Sequence, residues 1–452
     1  LDLMRKIFDQ TEANCDQEHL SVIQYSLSEH IIDRTRFLLG ETDENPGEAI
    51  GEIMVRMAKA GATVIGVPCN TAHSPRIMDV AVAMLHEASP KTRFVHMIDS
   101  VVAFIRESLP HARKIGVLST KGTYATGLYQ DALSAAGFVP LFPDEEGRER
   151  VQQAISNTWL IEEAKWHKGT HDLGFMMNNS FGKAYQLTGE RSYKDVVLQS
   201  AKTLITRYNK KVKSIRSWDH NRDKWKFPVI IDNLMNLEML FWATQETGDS
   251  IYWKVAVNHA NTTMKNHFRP DYSSFHVVDY DPETGEVRAR QTAQGYADDS
   301  FWSRGQAWAL YGYTMCYRFT KNPAYLQQAR HIANFFFGLP NLPEDLVPYW
   351  DMKAPGIPDI PRDASAAAIM ASALYELRTY VSAEDGNRYQ SIADKIVDSL
   401  NRHYQAEPGT TYGFLLLHST GHHPGGDEID VPINYADYYY LEALARKEAL
   451  KQ

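Results

Sequence analysis

The second part of the chain repeats one pattern five times, and this repeat restricts the fold more than any other feature. After about residue 155, an apolar helix opens on polar, mostly acidic residues at intervals of 60, 67, 64 and 71 residues. The openings are Asp172, Asp232, Asp299, Asp363 and Asn434. Intervals of this length fit one helical hairpin each, so the pattern predicts a repeat architecture built from helix pairs.

A second helix runs between successive openings, and each begins its apolar face with a tyrosine. These tyrosines are Tyr193, Tyr252, Tyr325 and Tyr389. Hairpins that close on themselves form a toroid, in which the polar openings of the inner helices meet around a pocket. A closed toroid of this type has six inner helices, whereas the sequence shows five inner openings and four outer helices. We therefore predict an incomplete (α/α)6 toroid that lacks its first hairpin.

The first 155 residues predict a different architecture. Short β-branched runs alternate there with helical patterns, which is typical of βαβ units on a parallel sheet. The runs are LSVIQYS, ATVIGVP, RFVHMI and KIGVLS. All nine tryptophans lie at or beyond Trp159. The sequence thus predicts a multidomain chain, with a truncated α/β parallel-sheet segment in residues 1–155 joined, as in a fusion, to the incomplete toroid in residues 156–452.

Charge and cysteine content restrict the partners. The net charge of −9 is spread without long blocks, which argues against nucleic acid or an anionic membrane surface as a partner. No apolar run has the length needed to span a bilayer. The three cysteines, Cys15, Cys69 and Cys316, lack metal-like spacing and fit a reducing compartment, so a cytoplasmic protein is expected. The oligomeric state is not indicated.

Five motifs of residues 156–452, in order, resemble the unsaturated glucuronyl hydrolases, which form glycoside hydrolase family 88. The motifs are HDLGFMM, DNLMNLEMLFWA, QGYADDSFWSRGQAWALYGY, PYWD and RDASAAAIMASALYEL. The resemblance implies a hydrolase that acts on the unsaturated uronyl oligosaccharides released by polysaccharide lyases. Such enzymes hydrate the C4=C5 enol ether, and the product then opens and releases the rest of the sugar. The resemblance implies a small oligosaccharide substrate and neither a cofactor nor a metal.

The resemblance implies that Asp232 is the general acid and base and that Asp172 is the second catalytic carboxylate. To donate a proton first, Asp232 has to be protonated, and burial beside a second carboxylate favours that form. The alternative is that each aspartate only caps its helix. The residues alone favour the two interpretations equally, whereas the resemblance favours catalysis, with which capping is compatible.

Further residues match positions at which the family contacts the unsaturated sugar. They are His171, His276, Gln294, Arg304 and Trp308. Arg304 and Trp308 are four residues apart and share a helix face. A guanidinium can hold a carboxylate at two points, and an indole offers a flat apolar surface to a sugar ring. The alternatives are core packing for Trp308 and a structural role for His276.

Two other segments are expected near the pocket. The stretch HVVDYDPETGEVRARQT predicts a β-hairpin that turns at residues 283–285 and forms a lip. The stretch HSTGHHPGGDE contains His418, His422 and His423, and we favour a glycine-rich rim loop over a metal site because the spacing lacks the geometry of a closing carboxylate ligand. The family's opening hairpin, with a tryptophan that lines the sugar site, has no match in residues 1–155.

The first segment resembles the aspartate/glutamate racemase family. The matching stretches are DQEHLSV, DRTRFLLG, GATVIGVPCNTAHSP and IGVLSTKGTYATGLYQDALSAAGF. The resemblance implies a cofactor-independent racemase that uses two thiols, with Cys69 as one catalytic thiol and Asn70 and Thr71 beside the substrate. The alternative for Cys69 is a small buried hydrophobe. The family's second cysteine, in a glycine-cysteine-threonine context, is missing from this sequence.

The sequence therefore favours the hydrolase, because both candidate carboxylates and most of the binding wall are present. The rival enzyme is an amino-acid racemase, inactive here because one of its two bases is missing. The rival without catalysis is an inactive carbohydrate-binding scaffold, in which the toroid holds a sugar but does not turn it over.

Overall fold

The computed structural model describes residues 2–13, 15–117, 119 and 121–450, and the chain divides into two compact units. The first unit comprises Leu1–Gln153 and the second comprises Ala154–Gln452. The division lies two residues before the boundary predicted from the sequence. It falls within helix Glu145–Trp159.

The first unit alternates helices with short strands. Among its described residues, the α-helices are α1 Asp2–Asp9, α2 Arg34–Leu38, α3 Pro46–Lys59, α4 Pro75–Ala88, α5 Met97–Ser108, α6 Lys121–Ala125, α7 Leu128–Ala135 and the start of α8 Glu145–Trp159. The strands are β1 Val64–Gly66, β2 Arg93–Val95, β3 Lys114–Gly116 and β4 Val139–Leu141. This order of elements confirms the predicted alternation of strands and helices.

The strands of the first unit pair in parallel, as predicted, but they form two separate sheets. β1 pairs with β2 and β3 pairs with β4. The predicted strand LSVIQYS is wrong, because residues 20–26 form neither helix nor strand. Leu20 and Tyr25 have 60% and 46% of their surface exposed. With no neighbouring strand to accept its backbone hydrogen bonds, an apolar alternating run remains an extended loop.

The core of the first unit lies between α3 and α4. Ile50 and Met54 from α3 pack with Ile77 and Leu85 from α4. The two helices approach closely at Gly47, where an added Cβ would lie 2.3 Å from the Ile77 carbonyl oxygen. Only glycine fits this helix crossing without moving the backbone.

The second unit contains an inner helix after each of the five predicted openings. Its inner helices are the π-helical segment Gly174–Gly182 with α9 Lys183–Thr188, then α11 Leu237–Thr247, α13 Ser303–Thr320, α15 Ala364–Leu377 and α17 Asn434–Ala449. Its outer helices are α10 Arg191–Ile205, α12 Ser250–Asn266, α14 Pro323–Phe337 and α16 Ala383–Ser399. The strands are β5 Tyr208–Asn209, β6 Ser214–Ile215, β7 Pro228–Ile230, β8 Val277–Tyr280 and β9 Val287–Gln291.

The inner helices α13 and α15 are buried over most of their length. Every residue of α13 from Ser303 to Cys316 is buried, as expected for a helix surrounded by other helices. The four tyrosines predicted to head the outer helices are all buried, which confirms the pattern. Four helices begin with a side-chain cap, which satisfies backbone N–H groups of the first turn. The capping residues are Asp249, Asn322, Asp363 and Ser382.

One predicted helix opening is wrong. Asp299 is exposed, and α13 begins only at Ser303, with Trp302 in the capping position. The intervening residues are held elsewhere, since Ser300 Oγ donates to Asp351 Oδ2 at 2.6 Å. The polar side chain that α13 brings to the inner end is therefore Arg304. Among the described residues, none of the helices combines the length and the apolar character needed to cross a membrane.

A small antiparallel sheet accompanies the helices and confirms the predicted β-hairpin. β8 pairs with both β7 and β9. In the turn, Asp281 Oδ1 accepts hydrogen bonds from the backbone N–H groups of Glu283 and Thr284, and Gly285 takes a positive φ of 81°. The end of β7 and the start of β8 lie next to the candidate site.

Candidate active site

Asp232 follows strand β7 at a point fixed by the sheet. The backbone N–H of Ile231 donates to the carbonyl oxygen of His276 at 3.0 Å, so Asp232 leaves the sheet beside the residue that leads into β8. Asp232 then lies in the 3-10 turn Ile231–Asn236, which continues into α11. The turn is anchored by buried apolar side chains, and only 13% of the Asp232 side chain is exposed.

The surroundings of Asp232 bring the pKa of its carboxyl close to neutral pH. Burial raises the pKa of its carboxyl from the ordinary 3.8 to about 7. The positive charge of Arg304 and a hydrogen bond from the Trp308 indole oppose this rise in pKa, whereas the charge of Asp172 adds to it. A carboxyl with a pKa near the working pH can both donate and accept a proton, which is what a general acid and base requires.

His276 faces Asp232 as a neutral hydrogen-bond donor. Its Nδ1 accepts hydrogen bonds from the backbone N–H groups of Ala293 at 3.0 Å and Gln294 at 3.1 Å, so this network places the ring proton on Nε2. Burial lowers the pKa of His276 to about 3, which keeps the ring neutral. Nε2 lies 3.8 Å from Asp232 Oδ2, and both atoms are buried without a hydrogen-bond partner among the described residues. His276 Nε2–H, a donor, and Asp232 Oδ2, an acceptor, therefore border the same space.

His171 and Asp172, which precede the first inner helix, also belong to the candidate site around Asp232. The Asp172 carboxylate, with 47% of its side chain exposed, accepts a hydrogen bond from Thr170 Oγ1 at 2.9 Å and lies 3.2 Å from His171 Nε2. Burial lowers the pKa of His171, while the Asp172 charge opposes that effect. Asn236 reaches across from the second opening, where its Nδ2 is 3.4 Å from His171 Nδ1.

The glycine of the HDLG motif permits this close approach. A Cβ on Gly174 would lie 2.4 Å from the Cα of Asn236, so a larger residue would force the first two openings apart. The side chain of Asn236 also accepts a hydrogen bond from the Phe175 N–H at 3.0 Å. The helix that begins here is π-helical over Gly174–Gly182, a distortion that occurs often at functional sites.

Arg304 is buried, and protein acceptors surround its guanidinium. Nη1 donates to Asp363 Oδ2 at 2.8 Å and to the Thr420 carbonyl at 2.6 Å, while Nη2 donates to the Gly421 carbonyl at 2.6 Å. The group also lies 4.4 Å from the ring centre of Trp302. Both terminal nitrogens are thus engaged. The two-point clamp on a sugar carboxylate remains a prediction, and the contacts seen here favour an electrostatic role beside Asp232.

Trp308 and Gln294 also lie at this end of the second unit. Trp308 is 3% exposed and packs edge to face on Phe175 at 4.9 Å and on Tyr439 at 5.4 Å, as the core alternative predicts. Its indole N–H lowers the pKa of the Asp232 carboxyl. Gln294 Nε2 donates to the Gly421 carbonyl at 3.0 Å. The predicted sugar contacts of both residues remain predictions.

The histidines of the segment 418–428 each have a partner within the protein. His418 Nδ1 lies 2.7 Å from Asp430, His422 Nδ1 lies 3.1 Å from Asp427, and His423 stacks on Trp350. Across the described residues, no group of three His, Cys, Asp or Glu side chains could hold a metal ion. The loop acts instead through its backbone, since the Gly421 carbonyl accepts from both Arg304 and Gln294.

Sequence reasoning missed three contributors to this site. Asn236 is four residues after Asp232, so their spacing on one helical turn was a usable signal. Asp363 was recognised only as a helix opening, yet it pairs with Arg304 and also accepts from the Ser365 N–H at 3.1 Å. Tyr435 lies over the Arg304 guanidinium at 5.3 Å. Asp363 is a true helix cap, whereas the contacts of Asp172 and Asp232 run to other parts of the site.

The racemase-like residues lie in the first unit and form a separate candidate site. Cys69 is half-buried after β1, and Asn70 Oδ1 accepts a hydrogen bond from the Tyr129 hydroxyl at 2.7 Å. Thr71 begins the 3-10 turn Thr71–His73. Of the other cysteines, Cys15 is exposed, and Cys316 is buried within α13, where burial raises the pKa of its thiol. The half-buried position of Cys69 fits both its reactive and its packing interpretation.

Comparisons with known proteins relate the two parts of the chain to different families. The family described as Asp/Glu/Hydantoin racemase matches residues 1–167. An unsaturated glucuronyl hydrolase from Formosa agariphila is 55% identical over 295 residues, which cover 65% of this chain and 73% of that protein. The crystal structure of an unsaturated glucuronyl hydrolase specific for heparin has a TM-score of 0.63 at 49% identity, covering 65% of this chain and 78% of the other.

A third comparison includes a bound sugar. A mutant of the unsaturated glucuronyl hydrolase from Streptococcus agalactiae, complexed with dGlcA-GalNAc6S, has a TM-score of 0.57 at 32% identity and covers 67% of this chain and 76% of the other. One assignment follows from the helical unit, its buried carboxyl and the identity to the Formosa protein over 73% of that protein's length. Through its second unit, the chain belongs to the unsaturated glucuronyl hydrolase family.

Proposed function

We propose that the protein hydrolyses unsaturated uronyl oligosaccharides by adding water across the C4=C5 double bond of the terminal uronic acid. The observation that carries this proposal is Asp232, a buried carboxyl whose pKa of about 7 suits both proton donation and proton uptake. Relatives named as unsaturated glucuronyl hydrolases support the same reaction.

The geometry supports a two-step addition. Protonated Asp232 gives its proton to C4, and positive charge then develops at C5 and the ring oxygen. The resulting Asp232 carboxylate takes a proton from a water molecule, whose oxygen bonds to C5 and forms a hemiketal. The hemiketal opens and releases the remaining sugar. In this scheme, His276 Nε2–H orients the water toward Asp232 Oδ2, and the Asp172 carboxylate stabilises the positive charge.

We further propose that the substrates are unsaturated disaccharides derived from glycosaminoglycans. A homologue from Streptococcus agalactiae has been solved with dGlcA-GalNAc6S, and another is specific for heparin. The assay is the loss of the ultraviolet absorbance of the C4=C5 double bond on addition of protein to heparin and chondroitin disaccharides. If no disaccharide loses this absorbance while the sugar still binds, the carbohydrate-binding scaffold is the correct interpretation.

We also propose that the second unit is an incomplete (α/α)6 toroid. Five inner and four outer helices are present among the described residues. Side chains of the first and last inner helices meet, since Lys183 Nζ lies 3.9 Å from Glu442 Oε1. This contact supports a ring of inner helices rather than an open row.

The pH dependence should reflect the acidity of Asp232. Because the first step needs protonated Asp232, kcat/KM should be level below about pH 7 and fall about tenfold per pH unit above it. We expect a value at pH 9 about a hundredfold below that at pH 6. Initial rates measured in overlapping buffers at constant ionic strength test this, and a profile that stays level to pH 9 would contradict the proposed role of Asp232.

The racemase family match makes amino-acid racemisation a second candidate, and we expect it to be absent. Racemisation requires a base on each face of the α-carbon, and Cys69 has no second thiol in the family's glycine-cysteine-threonine context. Circular dichroism of L-aspartate and L-glutamate incubated with the protein should remain constant. Interconversion of the enantiomers at an enzymatic rate, lost in Cys69→Ser, would show that this expectation is wrong.

A further inference from the structure

Arg304, whose charge acts on the catalytic candidate Asp232, forms a buried ion pair with Asp363. Arg304 is 2% exposed, and its positive charge favours the ionised form of Asp232. Asp363, which is fully buried, pairs with the guanidinium, with Oδ2 at 2.8 Å from Nη1. A buried positive charge without this partner would act on Asp232 at full strength, because a protein interior screens charges weakly.

The position of Asp363 is fixed by the start of helix α15. Its Oδ1 accepts hydrogen bonds from the backbone N–H groups of Ser365 at 3.1 Å and Ala366 at 3.4 Å. This capping leaves Oδ2 for Arg304. The carboxylate cannot move away from the guanidinium without uncovering the first turn of α15, so the ion pair is a permanent feature of the site.

The position of Arg304 is fixed equally well. The carbonyl oxygens of Thr420 and Gly421 hold its two terminal nitrogens at 2.6 Å, and Trp302 covers one face. The guanidinium therefore stays in place when Asp232 gains or loses a proton. The balance of charge around Asp232 is set by the protein and not by side-chain movement.

The titratable and charged groups around Asp232 include this pair. They come from each inner helix opening and from the sheet, and they are Asp172 before the first helix, His276 beside β8, Arg304 and Trp308 on α13, Asp363 before α15 and Tyr435 on α17. His276 is neutral, and burial raises the pKa of Tyr435 to about 12, so it is neutral as well. The charges that act on Asp232 are therefore Asp172 and Arg304, and Asp363 is the charge paired with Arg304.

We propose that Asp363 is a positioning residue that acts through Arg304 to keep the Asp232 carboxyl in its acid form near neutral pH. This inference rests on the proposed function, because it assigns a purpose to the protonated state of Asp232. Asp363 touches neither the reacting atoms nor Asp232 itself in the contacts described above.

The test is the pH profile of Asp363→Asn. Removal of one negative charge leaves Arg304 uncompensated, so the midpoint of the alkaline decline in kcat/KM should move down by about 1 pH unit or more. Asp363→Glu keeps the charge and should return the midpoint to that of the original protein. The matched control is Asp279→Asn, another buried aspartate that pairs with an arginine and accepts two backbone N–H groups. Its midpoint should not change.

A second readout does not depend on turnover. The infrared band of the protonated Asp232 carboxyl, identified by its loss in Asp232→Asn, should disappear at a lower pH in Asp363→Asn. An unchanged midpoint in both readouts, with folding intact, would reduce Asp363 to a structural cap and overturn the proposal. If Asp363→Asn does not fold, Arg304→Gln has to move the infrared midpoint upward, and a midpoint that stays the same or falls also overturns it. Absence of turnover with a shifted infrared midpoint would refute the proposed function alone.

Discussion

Replacement of Asp232 by asparagine should lower the turnover of unsaturated disaccharides by a factor of about 10² to 10⁴, the usual contribution of a general acid and base. Asparagine has nearly the same shape but cannot give a proton to C4 or take one from water. Initial rates of absorbance loss at pH 6, where most Asp232 carboxyls carry a proton, measure the effect. Turnover within a factor of two of the original protein would remove Asp232 from the mechanism.

Stability provides the control for this variant. Since the pKa of Asp232 is raised on folding, its contribution to stability is full below about pH 3.8 and is lost as the pH rises through about 7. At pH 8 the ionised, buried carboxylate thus destabilises the fold, and the rise in pKa corresponds to up to about 4 kcal/mol. Asp232→Asn should be at least as stable as the original protein at pH 8 by urea unfolding. A loss of activity can then not be ascribed to unfolding.

The sequence predicted the parts of the site that depend on local patterns. The spacing of Asp172 and Asp232 before apolar helices, and the turn residues of the β8–β9 hairpin, are short-range signals that the structure reproduces. Each aspartate was found because helix periodicity and turn chemistry operate over a few residues. The proximity of the openings followed from the repeat, since equal hairpins place equivalent positions at the same end.

The parts that were missed depend on contacts between distant segments. The Thr420 carbonyl that holds Arg304 is 116 residues away in sequence, and no local pattern predicts this contact. The tautomer of His276 is set by two backbone N–H groups of a loop 17 and 18 residues later. The strand predicted at LSVIQYS failed for a related reason, because a strand exists only if another segment pairs with it.

The same long-range packing should make the second unit sensitive to acid. Three histidines, His259, His267 and His276, are buried, and burial lowers their pKa values to about 3, 4 and 3. Since an unfolded chain protonates histidine near pH 6.5, their contribution to stability is full above that pH and is lost as the pH falls toward the folded values. At pH 5 each costs about 2 kcal/mol, or about 6 kcal/mol together, which exceeds the roughly 3 kcal/mol that protonation of Asp232 returns between pH 8 and pH 5.

We therefore expect the second unit to unfold cooperatively between about pH 5 and 4. All nine tryptophans lie at or beyond Trp159, so tryptophan fluorescence reports on this unit alone. In the original protein, the Ile215 N–H donates to His259 Nδ1 at 3.1 Å. His259→Asn keeps an acceptor for this N–H and removes one titrating group. This variant should unfold at a lower pH, while His220→Asn, at an exposed position, should not differ from the original protein. Equal acid midpoints for both variants would show that the protonation of carboxylates, and not of buried histidines, causes the unfolding.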